Sequence, residues 1–200
     1  MYIKIKRICE TDAPFDLFLD AGNDWTHFQH LHHKSHAEVR LLYKKDLREV
    51  FFYKARVLYP LPIYRRFLVV REYVPEQFSY KQVYYDLTNG RIHYLNGRNI
   101  KKEKSVVGVA EFWFSVPAFW GLFPQLFAWI FKFRMRSVMK EDNVMIRERI
   151  RIGGVASGRC APPIPDAFNF YEELMGKWPP PAKFEFVDET YENVAKGNGL

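Results

Sequence analysis

The stretch "PLPIYRRFLVVREYVPEQFSYKQVYYDLTNGRIHYLNGRNI", Pro60 to Ile100, decides the fold. Apolar and aromatic residues recur at alternate positions in short runs, and turn-forming residues separate the runs. That is the pattern of antiparallel strands, not of helices. The stretch supplies about three strands, with "TNGR" (88–91) and "LNGR" (95–98) as turn signals. Upstream, "AEVRLLYK" (37–44) and "REVFFYKARVLY" (48–59) form a strand pair around Asp46, and downstream "SVVGVAEFWFSV" (105–116) reads as the last strand of the series.

The ends of the chain frame this β-rich block. "YIKIKRICE" (2–10) alternates as a strand with Ile3 and Ile5 on one face. "TDAPFDLFLDAG" (11–22) starts a helix, with Thr11 or Asp12 as its cap and Pro14 in its first turn. A second short helix follows. After the strands a long helical pattern runs from Pro124 to Ile152 and stops at Gly153-Gly154. Residues 154–200 change character: "APPIPDAFNFYEEL" and "KWPPPAKFEF" are punctuated by proline, and the polar end is expected to fray.

The expected fold class is therefore α+β: a curved antiparallel sheet of about six or seven strands around a long C-terminal helix, with two short helices after the first strand. The sheet must bury its apolar face, and the long helix is the only large element able to cover it. This order of elements resembles the helix-grip fold of the START-like (SRPBCC) superfamily, over residues 1–153, with 154–200 as an extension packed on that domain. The resemblance implies a cavity for a hydrophobic ligand between sheet and helix.

Composition sets further bounds. The chain has 200 residues, 18% of them aromatic, which suits a ring-lined core or cavity. The net charge of +7 is scattered, and no motif for DNA or RNA accompanies it, so nucleic acid is not an expected partner. The two cysteines, Cys9 and Cys160, build no disulfide framework. "MYIKIKRICE" lacks the apolar run of a signal peptide, which makes a cytoplasmic setting the expectation. "FWFSVPAFWGLFPQLFAWIF" (112–131) carries no charge over a membrane-spanning length. Its prolines, Gly121 and Gln125 favour a strand end, a turn and a helix buried on one side. With the basic "KFRMR" behind it, peripheral membrane contact is compatible with the pattern. Homo-oligomerisation is left open.

"LDAGNDWTHFQHLHHKSH" (19–36) holds five of the six histidines, behind Asp20 and Asp24. Asp20, Asp24, His27 and His32 follow the spacing D/E-x3-D-x2-H-x4-H, and "MKEDNVMIRERI" places Glu141 and Asp142 on the long helix. These two motifs resemble the catalytic domain of Rieske-type non-haem iron oxygenases. The resemblance implies that His27, His32 and Asp142 bind Fe(II), and that Asp24 holds the other ring nitrogen of His27. Such a donor set leaves positions open for O2 and substrate, and it suits zinc as well.

Several observations temper the motif. Residues five apart lie about 140° round an ideal helix, so His27 and His32 converge only across a break. His32 with His36, or His33 with His36, has better bare spacing. His30 and His33 read as solvent-facing, His36 as a turn residue or substitute ligand, and His93 as a bystander beside a hairpin. Glu141 reads as a solvated neighbour or, with the ligand shifted by one residue, as the helix ligand, and Glu148 as an arginine partner. The C-x-H … C-x2-H pattern of a Rieske cluster is absent, since Glu10 follows Cys9 and Ala161 follows Cys160. Electrons would then come from a separate electron-transfer protein, from the substrate itself, or not at all.

Two functions follow. One is a mononuclear non-haem Fe(II) oxygenase acting on a small hydrophobic or aromatic substrate, with zinc-dependent hydrolysis or cyclisation as a variant. The other is a START-like carrier of a lipid, isoprenoid or polyketide without redox activity.

Overall fold

A computed structural model describes residues 1–16, 18–19, 36–58, 61, 63–152 and 181–192. Eight strands form one curved, unclosed sheet in the order β2-β3-β4-β5-β6-β7-β1-β8. In chain order they are β1 (Tyr2–Thr11), β2 (His36–Lys45), β3 (Arg48–Leu58), β4 (Ile63–Val74), β5 (Ser79–Asp86), β6 (Ile92–Lys101), β7 (Val106–Ser115) and β8 (Phe184–Glu192). One long helix, α1 (Pro124–Ile152), follows β7. A helical turn begins at Phe15, where the Phe18 amide donates to the Pro14 carbonyl at 3.0 Å. The second expected short helix lies outside the described residues.

β2 to β7 run antiparallel in succession, as the alternating pattern requires. The β2–β3 turn passes through Asp46 with φ 52°, a left-handed conformation that Asp tolerates better than most residues. The β5–β6 turn uses "TNGR" as expected, with Gly90 at φ 70°. There the buried Asp86 accepts from the Thr88 amide at 2.8 Å through its carboxylate and from the Gly90 amide at 2.8 Å through its carbonyl.

Two expectations need correction. "LNGR" is no turn but the middle of β6. Gly97 serves close approach instead: a Cβ there would run into the ring of Tyr80. The sheet also has eight strands, and the eighth runs parallel to β1 from Ile3↔Phe184 to Thr11↔Glu192. It comes from the proline-rich extension, where "KFEFVDETYE" alternates in period two and so suits an edge strand.

Both faces of the sheet are packed. On the outer face Val50, Val70 and Val83 form a buried row flanked by Tyr43 and Tyr94, with Tyr2, Tyr85 and Trp113 packed against it. On the other face α1 lies against β1, β7 and β8. Ile3 and Ile5 are fully buried there, and Phe131 meets Phe112 and Phe114 edge-on at 4.9 and 5.0 Å between ring centroids. Burying each of these side chains contributes about 1.5–3 kcal/mol. The uncharged 112–131 stretch resolves into the end of β7, a 3-10 turn at Ala118–Gly121 and the start of α1. Among the described residues no helix is long and apolar enough to cross a membrane.

Candidate functional site on the helix face of the sheet

The strand register lines up rows of side chains under α1. One row runs Glu49–Arg71–Gln82–Leu95–Phe112–Ile5 across β3 to β1. A second pairs Phe51, Val69, Tyr84 and His93. A third runs Tyr73–Tyr80–Gly97–Ala110–Arg7–Asp188. The two small residues in that third row leave the middle of the face low, and the Tyr80 ring lies across Gly97.

At the β3–β5 side the face is aromatic with a few hydrogen-bonding groups set into it. Tyr53 stacks on Phe67 at 5.7 Å, and Tyr84 meets Phe67 edge-on at 6.3 Å. The Tyr84 hydroxyl donates to Gln82 Oε1, and Gln82 itself is buried. Arg71, also buried, lies 5.2 Å from the centre of the Tyr80 ring and 3.9 Å from Glu49 Oε2. Burial pushes the phenols of Tyr53, Tyr80 and Tyr84 above their ordinary range, while the Arg71 cation opposes the shift at Tyr80 and Tyr84. These phenols are therefore neutral hydrogen-bonding groups at any working pH.

His93 belongs to this face. Its ring centroid lies 6.0 Å from those of Phe67 and Phe114, and its Nδ1 accepts the Ser115 amide hydrogen at 3.2 Å. Burial lowers its pKa to about 4; the Asp86 charge opposes that shift, while Arg65 and Arg91 assist it. It is a neutral acceptor seated among rings.

At the β1–β8 side the polar groups are charged and paired. Asp188 of β8 accepts from Arg7 at 3.1 Å and meets Lys132 of α1 at 2.7 Å. The Arg7 and Asp188 side chains are 4% and 5% exposed, so this is a buried ion pair tying strand to strand and to the helix.

Of the expected metal ligands, Asp142 alone is described. It shares the inward stripe of α1 with Phe131 and the buried Ile146, and its charge acts on Tyr80, which places it over the sheet. Asp24, His27, His32, and with them His30 and His33, lie outside the described residues; of His36 only the backbone, at the start of β2, is described. Among the described residues no group of three His, Cys, Asp or Glu side chains is arranged to hold a metal. The Tyr53, Tyr80, Tyr84, Gln82 and Arg71 cluster was not singled out from sequence. Its signal was there: in "YKQVYYD" the residues 80, 82, 84 and 86 share one strand face and all carry polar atoms.

No protein-family model matches the chain, and no curated protein does. Solved structures do match. ZhuI aromatase/cyclase from Streptomyces sp. R1128 superposes with a TM-score of 0.60 at 10% identity, over 78% of this chain and 99% of that one. TTHA0849 from Thermus thermophilus gives 0.58 at 13%, over 72% and 96%. Dicamba monooxygenase bound to 3,6-dichlorosalicylic acid gives 0.51 at 13%, over 88% of this chain and 59% of that one. These neighbours are helix-grip folds. The chain shares their architecture. At such identities the likeness establishes the fold and nothing about chemistry.

Proposed function

We propose that the protein binds a hydrophobic, ring-bearing small molecule between the helix face of its sheet and α1. The observation that carries this reading is the β3–β5 cluster, where neutral phenols, the Gln82 amide and one guanidinium are set into an aromatic surface. Small-molecule sites are built in this way, from apolar walls with a few placed polar groups that fix orientation. One fold neighbour is a monooxygenase bound to a chlorinated salicylic acid, and another is named an aromatase/cyclase. Their names supply the ligand class as a starting point.

The test is isothermal titration with 2-naphthol, a flat phenol, and with dodecanoate as a ring-free control. Naphthol is expected to bind and dodecanoate to bind more weakly. A Gln82→Leu, Tyr84→Phe double variant is expected to lose about tenfold in naphthol affinity, as removal of one or two hydrogen bonds implies. Binding of neither compound, or binding indifferent to the double variant, overturns the assignment of the site.

Asp142 favours a second reading, in which the bound molecule is also oxidised. His27, His32 and Asp142 would hold Fe(II), with Asp24 orienting His27 and a separate protein supplying electrons. Iron in such a site supplies dioxygen activation; zinc in it supplies a polarised water. The chain's own part is to hold a substrate ring under Asp142, between Tyr80 and the aromatic wall. Metal analysis by mass spectrometry on tag-free protein purified without oxygen tests this, beside a His27→Ala, His32→Ala variant and Asp142→Asn. One iron per chain, lost in both variants, supports the oxygenase; one zinc redirects it to hydrolysis or cyclisation. Metal-free protein after Fe(II) reconstitution leaves the binding reading standing alone.

A further inference from the structure

The start of α1 and the turn before it expose more apolar surface than folding requires. Phe119 (55% exposed), Leu122 (75%) and Phe123 (56%) project from the 3-10 turn and the helix start. Leu126, Trp129 (63%) and Phe133 (68%) continue the patch along α1. They occupy the face opposite the Phe127 and Phe131 stripe that packs on the sheet, at the i, i+3, i+7 spacing that makes one continuous surface. Trp129 and Phe133 stack on each other at 6.2 Å without a third ring to cover them among the described residues. An exposed patch of this kind marks an interaction surface.

Charge selects the partner. From Phe112 to Lys140 there is no acidic residue; Lys132 pairs with Asp188 and Arg134 donates to the Arg56 carbonyl, while Arg136 and Lys140 are exposed cations of the segment. A second copy fits poorly, because a two-fold interface sets each patch against itself and brings cations against cations. A negatively charged surface with an apolar interior meets both features at once, and a bilayer containing anionic lipid is such a surface. Indole and phenyl groups settle at the headgroup boundary, and flanking cations add attraction to anionic lipid.

We propose that the outward face of α1 and the turn before it, from Phe119 to Lys140, form a docking surface for an anionic membrane. Contact is peripheral, with Leu122, Phe123 and Trp129 entering the headgroup boundary and Arg136 and Lys140 lying against lipid phosphates. The surface is on the far side of α1 from the ligand face, so it stands whether or not that reading of the site holds. It would let the protein load or release an apolar ligand at the bilayer.

Vesicle flotation of the full chain tests it, with vesicles of phosphatidylcholine alone and with about 30% phosphatidylserine added. The expected result is binding to the serine-containing vesicles only, weakened by salt. Leu122→Glu with Trp129→Glu is expected to abolish it. Arg136→Glu with Lys140→Glu is expected to lower it more than tenfold, at about fivefold or more per cation near the surface. All four positions are exposed, and circular dichroism melts confirm that the variants fold. Flotation with neither vesicle overturns the proposal. So does a dimer in analytical ultracentrifugation that the Leu122, Trp129 variant converts to monomer while flotation stays absent, since the patch then belongs to a second copy.

Discussion

The two sides of one sheet face handle buried polarity differently. At the β1–β8 side, polarity is ionic: Asp188 pairs with Arg7 across two strands and with Lys132 of the helix. At the β3–β5 side it is mixed: the neutral groups Tyr53, Tyr80, Tyr84 and Gln82 stand beside Arg71, which faces Glu49, and beside the Arg65–Asp86 pair. A buried ion pair has little to offer a ligand, because pulling either partner away strands the other in a poor solvent. Neutral hydroxyls and amides can exchange partners at small cost. The difference suggests a division of labour within one surface, with a lock at one side and recognition at the other.

Breaking the lock is the largest effect expected. Asp188→Ala leaves Arg7 buried beside an empty place and should cost about 3–5 kcal/mol in urea unfolding. Replacing both strand partners, Arg7→Met with Asp188→Leu, removes the stranded charge and should recover most of that loss. If the double variant is no more stable than Asp188→Ala, the pair is not what joins β8 to the sheet.

His93 gives the next effect, and it is read by pH. Its folded pKa of about 4 lies below the ordinary 6.5. Between those values the unfolded chain takes up a proton that the folded chain refuses, so stability falls as pH falls through that window. Above pH 6.5 the residue is neutral in both states and contributes nothing to the slope. The full loss is about 3 kcal/mol by pH 4, from a shift of that size. Unfolding curves at pH 7, 5.5 and 4 should show it, and His93→Phe should flatten the His93 part of the slope. An unchanged slope in the variant would mean that the ring is solvated at neutral pH.

How far these features were legible in the sequence varies with their physical origin. Period-two runs and a 29-residue helical pattern are local, and both α1 and the β2–β7 series followed from them. β8 was missed because its alternation is only one strand long and sits behind prolines, while its partner, β1, is at the other end of the chain. "LNGR" misled because Asn-Gly signals a turn when backbone conformation demands glycine. At Gly97 the demand comes from a neighbouring ring instead. The histidine motif was the loudest sequence signal, yet only its distant member, Asp142, falls within the described residues. The phenol cluster was quiet, since tyrosines in a strand look like β-propensity until the register shows which of them share a face.

Gly97 sharpens the recognition side of the comparison. Gly97→Ala forces the Tyr80 ring off the floor of the site and should destabilise the protein by about 1–3 kcal/mol, the usual range for overpacking. The same substitution in a Tyr80→Ala background should cost much less, because the clash has been removed. A double-mutant cycle from urea melts gives the coupling directly. Additive effects would show that Gly97 is needed for the backbone and not for the ring.

The smallest change in stability should carry the largest change in binding. Tyr84→Phe removes one hydroxyl that donates to Gln82, worth about 0.5–1.5 kcal/mol. Because burial holds that phenol in its neutral form, the loss should be the same at pH 6 and pH 9. If the two sides divide in this way, Tyr84→Phe weakens naphthol binding several-fold while barely moving the melt. Asp188→Ala should do the reverse, shifting the melt and leaving the affinity of the folded fraction unchanged. Affinity that follows stability across both sets of variants would dissolve the distinction, since the whole face would then act as one packing unit with no separate place for a ligand.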